Sequence, residues 1–350
     1  MRLARVTLVI VAVCAAIVPL PSRMVEAYYS RDFYLSLQER LTPFSNGVSI
    51  ALLDVGLAVV VIVMLSFFWR RVRTSGFIAA VVRSVWSLLT MGAAAYLLFL
   101  MVWGLNYRRL PLEKKLDFDE RRVTPAAARS LGEHAARVVN AGYAAAHAPD
   151  KDGISLDAAF ASAQRVLRHD KLAVPGVPKR SMLSLYFRSA AIDGMTDPYF
   201  LEVILNPDVL PFEHPFVLAH EWAHLAGYAH EAEANFLAWL TCMQGNALAR
   251  YSGWLSIFEH VAAWLPRQDR GALMALLDPG PRQDLADAAR RYERASPAVR
   301  DTAREVYDTY LRANRVDEGV ASYSAVVRLM LGAGLQDYSP GQPLGLRLPD

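Results

Sequence analysis

Phe216-Val-Leu-Ala-His220-Glu221-Trp-Ala-His224-Leu-Ala226 is an apolar, helix-compatible run broken by two histidines and a glutamate. Residues four apart lie on one face of a helix, one turn apart. The rings of His220 and His224 can therefore reach one small ion at about 2.0–2.1 Å, the distance imidazole nitrogens keep from Zn2+. Glu221 flanks the same face, where it can take a proton from a metal-activated water and pass it to a leaving amine. With eight histidines in 350 residues, the pattern H-E-x-x-H is rare by accident. Two imidazoles and a carboxylate buried in a core helix are unfavourable unless they are paired. The run predicts a helix carrying one Zn2+ on His220 and His224, with Glu221 as general base.

A third ligand has to follow, and an unbroken helix cannot supply it, because seven residues beyond His224 lie about 10 Å further along the axis. Gly227 is the expected break, since glycine ends helices in the left-handed conformation. A second helix over about Glu231 to Met243 then presents its first turn to the metal. His230 completes the spacing H-E-x-x-H-x-x-G-x-x-H. Glu231 opens the alternative, Glu231-Ala-Glu233-Ala-Asn235. Glu233 is a further carboxylate in that turn, either a ligand or a group behind the ligands. Asn235, one turn on from Glu231, can accept the free N–H of a ligand histidine and so orient its ring.

Working outward, 54% of the chain is apolar and its mean hydropathy is positive, more than a soluble enzyme of this length needs. The net charge of +3 and the lack of any long like-charged run exclude a nucleic-acid partner. Cys14 and Cys242 lie in two separate apolar runs, so no disulfide is expected. Residues 1–27 read as a transmembrane helix or signal-like segment. Its apolar stretch, about Thr7 to Leu20, is short for a span, and Val25-Glu26-Ala27 is a weak match to a cleavage site. Residues 46–107 read as two transmembrane helices, about Val48–Trp69 and Val85–Leu105, with Trp86, Trp103 and Tyr107 as interfacial aromatics. Asp54 reads as a residue that pairs near the interface. Arg70, Arg71, Arg73 and Arg83 crowd the connection near 70–84 and place it in the cytoplasm. Residues 108–350 then form an extracytoplasmic domain on a multi-pass protein of the bacterial cytoplasmic membrane.

That domain reads as mostly helical. Thr124 is the expected N-cap of a helix over Pro125 to Ala146, and Ser155 to His169 is also helix-like. Strand character is confined to Ser184–Arg188 and Tyr199–Leu205, punctuated by Gly194 and Pro198. A helix is expected from about Pro215, with four or five more up to Met330. Tyr199–Leu205 is either a sheet edge for an extended substrate or a plain core strand. Tyr323 and Arg315 are candidate donors to a transition-state oxyanion, with a structural role as the other reading of each. His214 and His260 are not expected among the ligands.

Several stretches together resemble a bacterial membrane family known as domain of unknown function 3810. They are Trp103-Gly-Leu-Asn-Tyr-Arg-Arg109, the Gly194 to Asn206 region, Pro215 to Phe236 with Glu231-Ala-Glu-Ala-Asn-Phe236, Tyr310-Leu-Arg-Ala-Asn-Arg315, and Gly319 to Tyr323. The resemblance implies membrane helices followed by an H-E-x-x-H domain. The wider likeness is to gluzincin peptidases, which implies Glu231 rather than His230 as third ligand, and a zincin-like α+β domain with a small sheet beside the H-E-x-x-H helix. Asn235 stands where gluzincins carry aspartate. The expected protein is mostly α, a membrane-anchored zinc-dependent peptidase with lipid around its spans and a peptide or protein substrate in the cell envelope. The alternatives are a metal-binding, non-catalytic sensor or assembly factor, and a zinc hydrolase acting on a non-peptide bond.

Overall fold

The computed structural model describes residues 2–149, 153–316, 319, 325–335 and 338. Helix α1 (Arg2–Ile17) is followed, across a bend of 106°, by a helical stretch over Ser22–Asn46. That stretch comprises α2 (Ser22–Met24), a π-helical segment (Val25–Phe33) and α3 (Tyr34–Asn46). Two long apolar helices come next, α4 (Leu52–Ser75) and α5 (Phe77–Val102), joined at Gly76. Both are long and apolar enough to cross a membrane. The hydropathy expectations overlap both helices, although α4 runs on past Trp69 to Ser75 and α5 begins at Phe77 rather than near Val85. Helix α1 has 16 residues, about 24 Å, and counts toward a third span only together with its bent continuation.

Beyond α5 the chain is mostly helical: α6 (Pro125–Ala146), α7 (Leu156–Val166), α8 (Ser184–Ala190), α9 (His214–Leu225) and α10 (Glu231–Gln244). After these come α11 (Ala247–Trp264), α12 (Arg267–Ala275), α13 (Pro279–Glu293), α14 (Pro297–Ala313) and α15 (Ala325–Gly332). Thr124 Oγ1 accepts from the Ala127 N–H with Pro125 in the first turn, the cap that the sequence predicts. Among the described residues six helices follow α9 rather than the expected four or five, because Pro266 and Pro279 divide the segment after α11. Prolines are well placed at helix starts and poorly placed in helix interiors.

Strands β1 (Pro178–Lys179), β2 (Gly194–Asp197) and β3 (Glu202–Leu205) form one sheet in the order β1-β3-β2. β2 pairs antiparallel with β3, and β1 pairs parallel. Two expectations are corrected here. Ser184–Arg188 is helical, in α8: its apolar side chains split into a buried Phe187 and the exposed Leu185 and Tyr186, and adjacent exposed positions fit a helix face, not a pleat. Tyr199–Leu205 is not an edge, since β3 is flanked on both sides and buried throughout. The outer strand on the α9 side is β2.

The main apolar core gathers around α9 and α10, and twelve of the fourteen residues of α10 are buried. The same core takes in Tyr34 and Leu35 of α3, and Phe99, Leu100, Val102, Trp103 and Tyr107 at the end of α5. Trp103 and Tyr107 are therefore not interfacial aromatics: each is 6% exposed. Residues on both sides of 107/108 share this core. Cys14 and Cys242 are both free thiols.

Candidate metal centre

Helix α9 ends after Leu225 because Gly227 adopts φ +80°, a conformation open to glycine and strained for a side chain. A Cβ there would also meet Asn106 Oδ1 at 2.9 Å. The reversal brings the start of α10 back to α9, so that His220, His224 and Glu231 bring one ligand atom each to a common point. His220 Nε2 and His224 Nε2 are 3.1 Å apart, and Glu231 Oε2 and Oε1 lie 3.3 and 3.8 Å from them. Ligands about 2.0–2.1 Å from a tetrahedral ion stand about 3.3 Å from one another, so the two nitrogens and a carboxylate oxygen of Glu231 are spaced to hold such an ion.

The outward nitrogens fix the tautomers. His224 Nδ1 donates to Tyr228 O at 2.7 Å, and His220 Nδ1 donates to Asn235 Oδ1 at 2.8 Å. With both Nδ1 atoms carrying hydrogen, both Nε2 atoms present lone pairs. In the neutral rings two lone pairs and a carboxylate that is 1% exposed thus face each other, an arrangement stabilised by a proton or a metal ion between them. Burial opposes a charge on His220, but Glu231 outweighs it and lifts the ring to about 9. Burial pushes His224 down to about 4. For Glu231, burial is opposed by the two histidines and the Tyr307 hydroxyl, which hold it at about 2.

Glu221 takes no part in the triad of ligand atoms. Its carboxylate turns to β2, where Thr196 Oγ1 donates to Glu221 Oε2 at 2.8 Å. Burial raises it to about 7, with His220 and Thr196 pulling the other way. Gly194 leaves room for this carboxylate: a Cβ there would sit 2.7 Å from Glu221 Oε1.

The remaining sequence candidates lie elsewhere. His230 is the N-cap of α10, its ring packed against Tyr107 and its Nε2 3.3 Å from Tyr107 O. The helix start aims it away from the ion-binding point. Glu233 accepts from the Leu112 N–H at 2.6 Å, on the far side of α10. The Arg315 guanidinium donates to the carbonyls of Ala16, Ile17 and Val18 at the end of α1, where it meets unsatisfied acceptors. Tyr323 falls outside the described residues. His214 is exposed at the start of α9, and His260 is not in the ligand group.

Sequence reasoning missed three features. Tyr307, on α14, donates its hydroxyl to Glu231 Oε1, and nothing in its local pattern distinguishes it from Tyr310 three residues on. The second is the end of α9, whose last carbonyls are taken one by one. Trp103 Nε1 donates to His224 O at 2.9 Å, Tyr34 Oη to Leu225 O at 2.9 Å and Arg109 Nη1 to Gly227 O at 2.8 Å. The third is the ion pair that holds Arg109. Its guanidinium is 2.9 Å from Glu26, which Lys115 also contacts at 2.6 Å, and it stacks over the Tyr228 ring. The Trp-Gly-Leu-Asn-Tyr-Arg-Arg run carried the signal, since tryptophan, asparagine and arginine together exceed what an interface anchor requires.

This is a helical protein with two membrane-spanning candidates and a group of two histidines and a glutamate that can hold a metal ion. Its chain belongs to the family described as protein of unknown function (DUF3810), whose family model matches residues 29–331. No curated protein and no solved structure matches the chain.

Proposed function

We propose that this protein is a membrane-anchored zinc peptidase acting outside the cytoplasm on polypeptides of the cell envelope. The observation that carries the reading is the convergence of His220 Nε2, His224 Nε2 and Glu231 on one point, with the Glu221 carboxylate outside the ligand set. A zinc ion bound there would lower the pKa of water and polarise a carbonyl. Glu221, raised to about 7 by burial, is suited to accept a proton from water and return it to the leaving amine at neutral pH. Asn235 and Tyr228 O hold the two rings in the tautomer that exposes Nε2. β2 is an outer strand beside Glu221, so an extended peptide can add to it by main-chain hydrogen bonds. The small sheet beside α9 supports the zincin-like reading. The arginines between α4 and α5 support an extracytoplasmic domain.

Metal analysis of the purified full chain tests the proposal together with the Glu221→Gln variant. One zinc per chain in both proteins, with envelope-polypeptide cleavage only in the wild type, is the expected result. Absence of stoichiometric transition metal from the wild type would end it. A second reading, a metal-binding sensor or assembly factor, is favoured by the neutral amide of Asn235 behind His220. It predicts a Glu221→Gln strain with an unchanged phenotype.

A further inference from the structure

Helix α8 and the turn before it present an apolar tip that no described residue covers. Met182 is 74%, Leu185 71% and Tyr186 44% exposed, whereas Phe187 on the opposite face is 1% exposed. A contiguous apolar patch of this kind on a folded domain marks an interaction surface.

The place of the tip along the membrane axis says what covers it. Asp54, in the first turn of α4, accepts from Ser181 Oγ at 2.6 Å and from the Met182 N–H at 2.8 Å. Asp54 stands two residues beyond Leu52, about 3 Å into that helix. Met182 is therefore held at the depth where the candidate span begins. Three further ties fix the neighbouring sheet at this level. Glu202 on β3 accepts from the Leu52 and Leu53 N–H groups, at 3.0 and 2.8 Å. Lys179 Nζ donates to Ile50 O at 3.3 Å. The Phe200 ring lies so close to α4 that a Cβ on Gly56 would meet it at 3.2 Å. Ile50, in the same stretch, is itself 58% exposed, and Arg180 beside Met182 is exposed. An apolar tip with a flanking arginine at the end of a span matches the headgroup boundary, where apolar side chains enter the acyl region and basic ones meet phosphates.

We propose that Met182, Leu185 and Tyr186 insert into the bilayer surface, a membrane contact separate from α4 and α5. The occupant is lipid. Because α8 leads directly into β2, this contact holds the strand beside Glu221 at the membrane surface. The proposal rests on α4 as a span and is independent of any peptidase activity, so the two fail separately.

The test uses the full chain in phosphatidylcholine–phosphatidylglycerol vesicles, with Cys14→Ser removing the exposed thiol. An environment-sensitive fluorophore is attached at Leu185→Cys and, in a second protein, at Met182→Cys. Reference labels go at Val63, mid-way along α4, and at Leu276, an exposed leucine at the end of α12, which packs on α6 and α11. The expected result is quenching at 182 and 185 by shallow lipid nitroxides several times stronger than at 276, with protection from aqueous iodide. Iodide quenching at both sites equal to that at 276 would overturn the proposal. So would protection from iodide without lipid quenching, the signature of a protein partner or a second copy on this face.

Discussion

Helices α4 and α5 are nearly matched as sequences. They have 24 and 26 residues, with hydropathy of 2.5 and 2.0 over their most apolar stretches, yet they carry different loads. No residue of α4 is buried, whereas α5 buries Phe99, Leu100 and Val102 in its final turns and runs on into Trp103, Asn106 and Arg109. These residues meet the end of α9. Hydropathy measures whether a helix tolerates lipid; it is blind to whether one end of that helix also builds a site. Helix α4 is tied to the domain through its first turn, whereas the residues that follow α5 reach the carbonyls of His224 and Gly227.

The sharpest way to break the comparison is Arg109→Ala. It leaves Glu26 buried without its main partner and frees Gly227 O, so a loss of about 3–5 kcal/mol is expected. The readout is thermal unfolding in detergent, with loss of bound metal. The same pair has a pH signature. Burial works to raise Glu26, but Arg109 and Lys115 outweigh it and hold the carboxyl at about 2, below its ordinary value of 4.5. Its stabilisation is therefore fully present above about 4.5 and is lost as pH falls toward 2. Unfolding of wild type followed from pH 6 to pH 2 should show this acid slope, and Glu26→Gln should flatten it. A slope unchanged in the variant would dissociate the pair from stability.

Next in size is Asn235→Ala, which removes the acceptor on His220 Nδ1. Metal affinity, read by competition with a chelator, should fall about 10–100-fold, and Asn235→Asp should restore or exceed it. Trp103→Phe removes the single N–H to His224 O and part of a buried ring. A loss of about 1–3 kcal/mol is expected, measured as a shift in unfolding midpoint. The smallest effect belongs to α4: Val60→Leu, on a face 42% exposed, should stay within about 0.5 kcal/mol. An α4 change as large as Trp103→Phe would erase the contrast between the two helices.

Much of this architecture is legible in the chain because it is governed by local rules. The spacing of His220 and His224, the left-handed Gly227, the Thr124 cap and the two long apolar runs each need only a few residues to be read. What escapes is set by contacts between distant segments. Tyr34 reaches Leu225 O across 191 positions and Glu26 reaches Arg109 across 83, and no local pattern announces either. Ser184–Arg188 misled because a short apolar–aromatic run suits a strand or a helix equally until its burial is known. Arg315 lies in one of the stretches that carry the resemblance and donates to the end of α1, so that stretch located a conspicuous residue without locating its work.

The carbonyl clamp on α9 also bears on biogenesis. Tyr34, Trp103 and Arg109 all precede His220 in the chain, so each has been translated before α9 is. The groups that take the carbonyls of Leu225, His224 and Gly227 are therefore already made when the last turn of α9 emerges, and a chain whose α5 is displaced would carry His220 and His224 without the scaffold that aligns them.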